Sequence, residues 1–403
     1  MAFGDGPDDA SLDHAWDTFC DQLKAAGRQV FKDHNPSASR QRVDGLRFLT
    51  QNLGQAFDLA LETRNTRYPS LHPFCGPTRK LGGDCADFVY QQAWIDGRSI
   101  YRIAGDRGTA RFVNFTVQGP RPDGPGVLHE PFGDVPEASL PGDRLELSPD
   151  GRFEVYVGGP PRGPNWLPTT PGSRKLFVRQ GFDSWSERPA RMHIERVDMA
   201  SPKPLPTAEE MVEAIGWAGK FITGLMHDWP EFPFTHGGVN PDEPNRFPAV
   251  ESSSDDEKRG RSATNMHWVL APDEALIIEF DAHDGLWTLT NMGVFFNSMD
   301  FLYRPVSYTP SRTTVDGDGR VRLILAHDDP GYHNWIDTQG FERGNLTYRH
   351  MLEGAPAVLR TRLVERAQLS DVLPADSAWA TAQERTEQMW ARFTGIRQRY
   401  ASL

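Results

Sequence analysis

The hydrophobic positions of the chain change their period along the sequence and so divide it into helical and extended parts. Over residues 11–30 and 40–63 the apolar side chains recur at helical spacing. The apolar stripe of the second segment consists of Val43, Leu46, Phe48, Leu49, Leu53, Phe57 and Leu61. The pattern predicts two N-terminal helices that pack on a sheet.

Two later regions have the short apolar runs, separated by Gly, Pro and Asp, that are typical of strands and turns. They cover residues 87–178 and 265–349. Between them, Thr207 and Glu210 form a candidate capping box before a helical pattern that continues to Trp229. We therefore predict two β modules joined by a helix.

The segments around the second module are less regular. Residues 230–262 are rich in Pro, Gly, Asn, Ser and acid, which predicts a long loop that is either a solvated linker or a lid over a site. The tail after Pro356 has helical spacing. The predicted regions are an N-terminal helical region (1–80), a first β module (81–200), a linker helix with a mobile loop (201–262), a second β module (263–350) and a C-terminal helical tail (351–403).

The two β modules share a sequence pattern. In each copy an Asp-Gly turn opens a strand, a Gly/Pro-rich loop follows, and Asn-Trp begins another extended run. The first copy is Asp150-Gly151-Arg152, Asn165-Trp166-Leu167-Pro168-Thr169 and Arg179, and the second is Asp318-Gly319-Arg320, Asn334-Trp335-Ile336-Asp337-Thr338 and Arg349. The repeat predicts a mainly β fold with flanking helices (α+β), built from two sequence-related β modules joined by a helix. Repeated positions are expected to build the fold rather than a site.

Composition indicates which kinds of partner and which compartment to expect. The chain has 403 residues and a net charge of −12, and it shows no basic cluster for a phosphate backbone, which opposes nucleic-acid binding. The apolar runs are too short to span a bilayer. Cys20, Cys75 and Cys85 match neither a disulfide framework nor a zinc pattern, which favours a reducing cytoplasm. We expect a small-molecule ligand, no nucleic acid and no membrane partner, and the sequence is compatible with a homo-oligomer.

The segment Asp328–Gly340, with Arg349 downstream, resembles the signature of bacterial proteins that carry the domain of unknown function 1214. Ile336 stands where the family form has Leu, and Gln339 stands where it has a small residue. The segments 82–90 and 101–105 resemble the N-terminal region of the same long proteins. The resemblance covers residues 40–350 and implies a largely β architecture of the sandwich or jelly-roll type, sometimes paired with the related domain 1254. It implies no reaction.

The densest cluster of ionisable residues lies in the second copy of the repeat. Here His327 or His333 could move a proton while Asp329 or Asp337 orients the imidazole ring. The equivalent stretch of the first copy, residues 158–164, has no such acids or histidines. We therefore predict that the second module carries the catalytic residues. A divalent metal bound by His327 and His333 is the alternative, but their spacing matches no established pattern, so no cofactor is favoured.

Further residues are candidates for substrate binding. Arg343 or Arg349 could hold a carboxylate or a developing oxyanion, and Trp335 lies inside the ionisable cluster. Candidates from the first module that could line a shared cleft are Asp84, Asp87, Tyr90 and Arg102. The leading hypothesis is an acid/base enzyme of the hydrolase or lyase type that acts on a terpenoid, steroid or aromatic compound. The alternative hypothesis is a non-catalytic β-sandwich protein that binds a carbohydrate or lipid.

Overall fold

The computed structural model of the chain describes residues 6–121, 128, 131–199, 201–250, 252–351 and 353–401. Within these residues the fold is mostly β, with four sheets and flanking helices. The helices are α1 (Asp9–Gln29), α2 (Ser39–Phe57) with a π-helical continuation (Asp58–Glu62), α3 (Ala208–Thr235), α4 (Ser254–Arg259), α5 (Leu369–Val372) and α6 (Ala382–Ala401). The four sheets form two sandwiches, and the helices cover them.

The first module is a sandwich of two sheets. Its strands are β1 (His72–Cys75), β2 (Phe88–Trp94), β3 (Tyr101–Asp106), β4 (Phe112–Gly119), β5 (Val135–Pro141), β6 (Arg152–Val157), β7 (Trp166–Leu167), β8 (Lys175–Gly181) and β9 (Arg191–Arg196). The "β8 sheet" has the order β1-β2-β8-β4-β5, and the "β6 sheet" has the order β7-β6-β3-β9. Alternate residues such as Val89, Phe115 and Val155 fill the core between the sheets.

The second module is also a sandwich of two sheets. Its strands are β10 (Ser262–Val269), β11 (Glu274–Asp281), β12 (Trp287–Met292), β13 (Ser307–Tyr308), β14 (Arg320–Ala326), β15 (Trp335–Asp337), β16 (Arg343–His350) and β17 (Arg360–Glu365). The "β16 sheet" has the order β10-β16-β12-β13, and the "β14 sheet" has the order β15-β14-β11-β17. Trp268, Leu323 and Tyr348 belong to the core between them.

The strand orders confirm that the modules are related. The order β2-β8-β4-β5 corresponds to β10-β16-β12-β13, and β7-β6-β3-β9 corresponds to β15-β14-β11-β17. Even the parallel pairs agree, because β6 pairs with β7 and β14 pairs with β15 in parallel, whereas the other strand pairs are antiparallel. The predicted mainly β fold with two related sandwich modules is therefore what the chain forms.

The repeated Asn-Trp pair makes equivalent bonds in both modules. The Asn165 side chain binds the backbone N–H and C=O of Glu146, and the Asn334 side chain binds those of Thr314. Each Trp indole then donates to a carbonyl at the end of the neighbouring strand, Gly158 for Trp166 and Ala326 for Trp335, both at 3.1 Å. Asn and Trp therefore fasten the Gly/Pro-rich loop to the sheet in each copy.

Three expectations about helices are wrong. The predicted N-terminal helical region (1–80) ends in β1, which pairs with β2 of the first module. The segment 230–262 is not one long loop, because α3 continues through Pro230 to Thr235 and α4 forms behind a capping box of Ser253 and Asp256. The tail does not return to helix directly after Pro356, because β17 comes first and pairs with the open edge of β11. The first module fills the same edge with β9. The strand therefore belongs to the second module rather than to a helical tail.

The helices pack mainly on one another and on the edges of the modules. α1 and α2 pack against α3, and their shared core includes Phe48, Phe221 and Phe295. Trp217 of α3 meets Trp94 on the outer surface of the β8 sheet, with 5.7 Å between ring centroids. Among the described residues, no helix is long and apolar enough to cross a membrane.

Candidate functional site

The first two predicted catalytic residues have partners that anchor loops. His327 is bound through both ring nitrogens. Its Nε2 donates to the Leu270 carbonyl at 3.1 Å, and its Nδ1 is 2.8 Å from the Thr338 hydroxyl. Asp329 accepts two bonds from the Arg385 guanidinium of α6, at 2.8 and 3.1 Å. These side chains therefore hold the loop after β14 and the C-terminal helix in place.

The other two predicted catalytic residues lie apart from these contacts. His333 has its Nδ1 3.1 Å from Asn334 Oδ1, and Asp337 is buried in an ion pair with Arg304 at 2.9 Å. No hydrogen bond or ion pair joins any two of the four residues in the described structure. Within the same residues, no three His, Cys, Asp or Glu side chains converge to hold a metal ion. The predicted acid/base cluster of His327, Asp329, His333 and Asp337 is thus dispersed.

Three of the predicted substrate-binding residues also contact other parts of the fold rather than one another. Trp335 is buried and carries the Arg385 guanidinium 5.3 Å from its ring centroid. Arg343 begins β16, and its carbonyl accepts a bond from Gln41 of α2. Arg102 lies at the surface of the β6 sheet in ion pairs with two glutamates. These positions do not share a cleft.

The remaining candidates meet where the two modules join. Arg349 of β16 donates from Nη2 to the Gly83 carbonyl at 2.8 Å, and it also reaches the Asp84 carbonyl at 3.4 Å. The Asp84 carboxylate accepts from the backbone and hydroxyl of Ser298, and burial raises its pKa. The structure therefore brings Asp84 and Arg349 together although they are far apart in sequence.

Tyr90 and Asp87 lie at the same junction but have different neighbours. Tyr90 is on β2, where burial raises the pKa of its hydroxyl and the charge of Arg349 opposes that rise. Asp87 is buried just before β2 and pairs with Arg312 at 2.5 Å. Tyr90 therefore joins the Arg349 environment, whereas Asp87 belongs to a separate ion pair.

The junction is unusual because buried polar side chains cover both of its walls. Residues that alternate with the sandwich cores project from the outer surfaces of the β8 and β16 sheets. Cys85 lies 3.5 Å from the Thr288 hydroxyl, and Phe88 packs with Leu286 and Met351, so the two outer surfaces meet. The buried polar side chains on these surfaces are Gln92, Asn114, Thr116, Gln118, Lys175, Arg179, Asn265, Thr288, Thr290, Asn345, Thr347 and Arg349.

Arginines of three elements gather at this junction. Arg179 and Arg349 are the repeated arginines on the middle strands of the two sheets, and they are only 8% and 3% exposed. Arg259 ends α4 and Arg261 precedes β10, and each keeps 23% of its side-chain area exposed. The charges of Arg259 and Arg349 both lower the pKa of Arg261, after the larger effect of burial.

The positive charge is only partly compensated. Burial, followed by the charges of Arg259 and Arg261, lowers the pKa of Arg179 to about 9. A guanidinium keeps its proton at neutral pH, so the group remains positively charged. Asp256 is the one carboxylate of the described chain that forms an ion pair with any of these four arginines. Buried guanidinium groups of this kind bind carboxylate or phosphate oxygens.

Several polar atoms at the junction also have no hydrogen-bond partner among the described residues. These atoms are both amide atoms of Asn114, Nη1 of Arg349 and Nε2 of Gln92. Asn114 is 0% exposed and pairs in register with Arg179 across β4 and β8. More than nine in ten buried polar groups in proteins have partners, so orphan atoms such as these are places where ordered water or a polar ligand would be held. We call Tyr90, Asn114, Arg179, Arg261 and Arg349 the junction site.

Sequence reasoning found part of this site and missed the rest. Tyr90 and Arg349 were expected to bind a substrate, but Arg179 was expected to build the fold because it repeats Arg349. Asn114 carried no signal, and Arg261 lies in the segment predicted as a loop. The sequence signal for this site is an arginine in the middle of an alternating strand in both copies. Strand alternation places such an arginine on the outer surface of its sheet, away from the sandwich core.

The fold occurs in a solved structure. An uncharacterised protein from Burkholderia cenocepacia is similar, with a TM-score of 0.79 and 27% identity over 88% of this chain and 98% of that one. A protein from Vibrio parahaemolyticus aligns over 85% of this chain and 100% of its own, with 10% identity and a TM-score of 0.42. No protein-family model and no curated protein sequence matches the chain. The resemblance to the domain of unknown function 1214 therefore stays a prediction.

Proposed function

We propose that the chain binds a small organic molecule at the junction site, between its two β modules. The observation that carries this proposal is the set of buried orphan polar atoms on Asn114, Arg349 and Gln92. A buried donor or acceptor without a partner costs about 1 to 3 kcal/mol, and a bound molecule that supplies the missing partners recovers that free energy. The site is also shared by both modules, which is a common place for ligand binding.

Native mass spectrometry of the full chain after incubation with a metabolite extract tests the proposal. We expect a retained species on the wild-type protein and its loss in Asn114→Leu, which removes two orphan atoms without a large change in shape. Because an apolar group of similar shape avoids the cost of unmade bonds, Asn114→Leu should also unfold at a higher temperature than wild type in the absence of extract. Arg98→Gln, at an exposed arginine that pairs with Asp96, is the control and should retain the species.

Two results would contradict the proposal. One is that no extract component stays on the wild-type protein or raises its Tm. The other is that Asn114→Leu retains the same species to the same extent, because the molecule then lies elsewhere. A retained species that is chemically altered over time would extend the proposal from binding to catalysis.

Turnover by acid/base chemistry, of the hydrolase or lyase type, is the second candidate function. One observation favours the loop of the second module for it, because Asp329 and Pro330 line a groove of about 550 Å³ together with Trp379. The bond from Arg385 holds Asp329 at the edge of this groove. If His333 acts there, His333→Ala should abolish turnover of an extract component and leave its binding intact. Unchanged turnover in that variant would remove the second candidate.

The finer features of the ligand and the protein are also proposals. Terpenoid, steroid and aromatic compounds remain the suggested substrates, with carbohydrates and lipids as the alternative for a binding protein. Membership of the domain of unknown function 1214 family is proposed on the residues that resemble its signature. A reducing, cytoplasmic location is proposed because all three cysteines are free thiols, with Cys75 and Cys85 buried.

A further inference from the structure

We infer that the junction site binds the carboxylate or phosphate group of a small organic anion through the guanidinium groups of Arg179, Arg261 and Arg349. This inference rests on the proposed function and names the chemistry of its ligand. It goes further because the orphan atoms alone could accept a neutral molecule, whereas the arginines select for negative charge.

The first argument is the balance of charge. Arg179 has one side-chain hydrogen-bond partner in the described structure, the Thr116 hydroxyl at 2.9 Å, which is neutral. Arg349 is bound by neutral backbone carbonyls and has Nη1 without a partner, and the buried Asp84 carboxylate that attracts it also attracts Lys80. Arg261 shares the Asp256 carboxylate with Arg259. Like charges that are buried together destabilise the fold unless an opposite charge joins them, so the group is expected to hold an anion.

The second argument is the origin of the three side chains. Arg179 and Arg349 occupy equivalent positions in the two modules, on the middle strands β8 and β16. Arg261 comes from the connection between α4 and β10, and the neighbouring Gly260 lies close against Asn114 and Phe112. One anion at this place would therefore contact both copies of the duplicated unit and the segment that links them. Three guanidinium groups from three directions suit the several oxygens of a carboxylate or phosphate.

The third argument concerns the body of the ligand. Aromatic rings adjoin the arginines, because Arg179 lies over the Phe177 ring at 5.2 Å and Phe88 stacks on Tyr90 with ring centroids 5.7 Å apart. Phe112 packs against Phe88 on the same surface. Apolar rings beside a cationic group favour an organic anion over an inorganic one. An aromatic carboxylate is therefore the first probe, and inorganic phosphate is the second.

Thermal unfolding of the full chain with benzoate, benzamide and inorganic phosphate tests the inference. Benzamide has nearly the shape of benzoate without its charge. We expect benzoate or phosphate, at constant ionic strength, to raise the Tm in a saturable manner by at least about 2 °C, and benzamide to leave it unchanged. A response to benzoate alone assigns a carboxylate, and a response to phosphate alone assigns a phosphate ester.

The variant Arg179→Gln makes the test specific. It should lose the response to the anions and, because it removes one of several buried like charges, should unfold at a higher Tm than wild type when no anion is added. A purely structural arginine would instead lower the Tm on substitution. Arg261→Gln gives the same comparison if Arg179→Gln does not fold, and Arg98→Gln, at an exposed arginine, is the control that should respond to anions as wild type does.

The outcomes separate this inference from the proposed function. If benzoate and phosphate change wild type and Arg179→Gln equally, the arginines are not an anion site and the inference is wrong. If a neutral species from the extract is then retained and is lost in Asn114→Leu, the proposed function still stands. If no species is retained either, both are wrong.

Discussion

The two β modules have the same strand order but differ in what their repeated loop does. In the first module the loop from Gly158 to Pro164 is mostly exposed, and Asn165 and Trp166 are only half-buried. In the second module the corresponding Asn334 and Trp335 are buried, and the loop binds α6 through Asp329. The comparison shows that the Asn-Trp pair holds the loop to the sheet in both modules. Its contribution to stability depends on how much of the protein packs over it.

The repeated arginines, unlike the Asn-Trp pairs, do not build their own modules. Arg179 and Arg349 have equivalent positions, yet neither is needed to close its own sandwich, because both project from the outer surface of a middle strand. Arg349 is fixed by carbonyls of the segment before β2, whereas Arg179 binds a hydroxyl of its own sheet. The two modules therefore share two kinds of repeated residue. The Asn-Trp pair builds each module, and the arginine faces the junction between the modules.

The largest contrast is expected for the tryptophans. Trp335→Ala should lower the free energy of unfolding by about 3 to 5 kcal/mol, since a large buried ring leaves a cavity. Trp166→Ala should cost less than half as much, because its ring is half-exposed. Urea unfolding of both variants measures the difference. Equal losses would mean that the two tryptophans contribute equally to the free energy of unfolding.

The asparagines should give a smaller contrast. Asn334→Ala leaves the buried carbonyls of Thr314 and Arg322 without their donor, so a loss of about 2 to 3 kcal/mol is expected. Asn165→Ala should lose about 1 kcal/mol, because water can replace its bonds to Glu146. Urea midpoints again measure both values, and a larger loss in Asn165→Ala would reverse the comparison.

The contact between the second loop and the C-terminal helix should matter less for global stability. Asp329→Ala removes the paired bonds to Arg385 and should lower the free energy of unfolding by about 1 kcal/mol. Amide exchange of residues 382–401 should accelerate, because the first turns of α6 lose their anchor. Asp328→Ala is the matched control, since its pair with Arg366 is exposed. Equal exchange in both variants would show that the anchor is unimportant.

The smallest expected effect is the response to acid. Burial lowers the pKa of His267, His283 and His350, which all belong to the second module. The unfolded chain therefore binds protons more readily, so stability falls as the pH drops below the ordinary histidine value of about 6.5. Urea unfolding at pH 7.5 and 5.5 checks the sign. His350→Gln should weaken this dependence, and a stability that rises on acidification would contradict the interpretation.

Much of the fold could be predicted from the sequence because it is encoded in local periodicity. The helices near residues 11–30 and 40–63, the capping box at Thr207 and the duplicated turn-strand-loop pattern all depend on neighbours in the chain. The exceptions are β1, β17 and α4. An edge strand is defined by the backbone bonds that β11 offers, and a short helix after a polar stretch is defined by its cap and its packing on β5.

The candidate site was much less predictable. Clustering in sequence suggested His327, Asp329, His333 and Asp337, but strand geometry sends their side chains to different partners. Arg179, Arg261 and Arg349 are separated by long stretches of chain and are brought together by the packing of two sheets and a connecting segment, since Gly260 lies against Asn114 beside Arg179 and Ala263 pairs with Arg349.

The sequence by itself determined that there would be two related sandwiches and which Asn-Trp pair would fasten each one. These features follow from alternation, turn residues and repetition, which act over a few positions. Only the tertiary structure decided that the outer surfaces of β8 and β16 would meet and bury their arginines. That outcome depends on how two separately closed units pack together, and no local pattern specifies it.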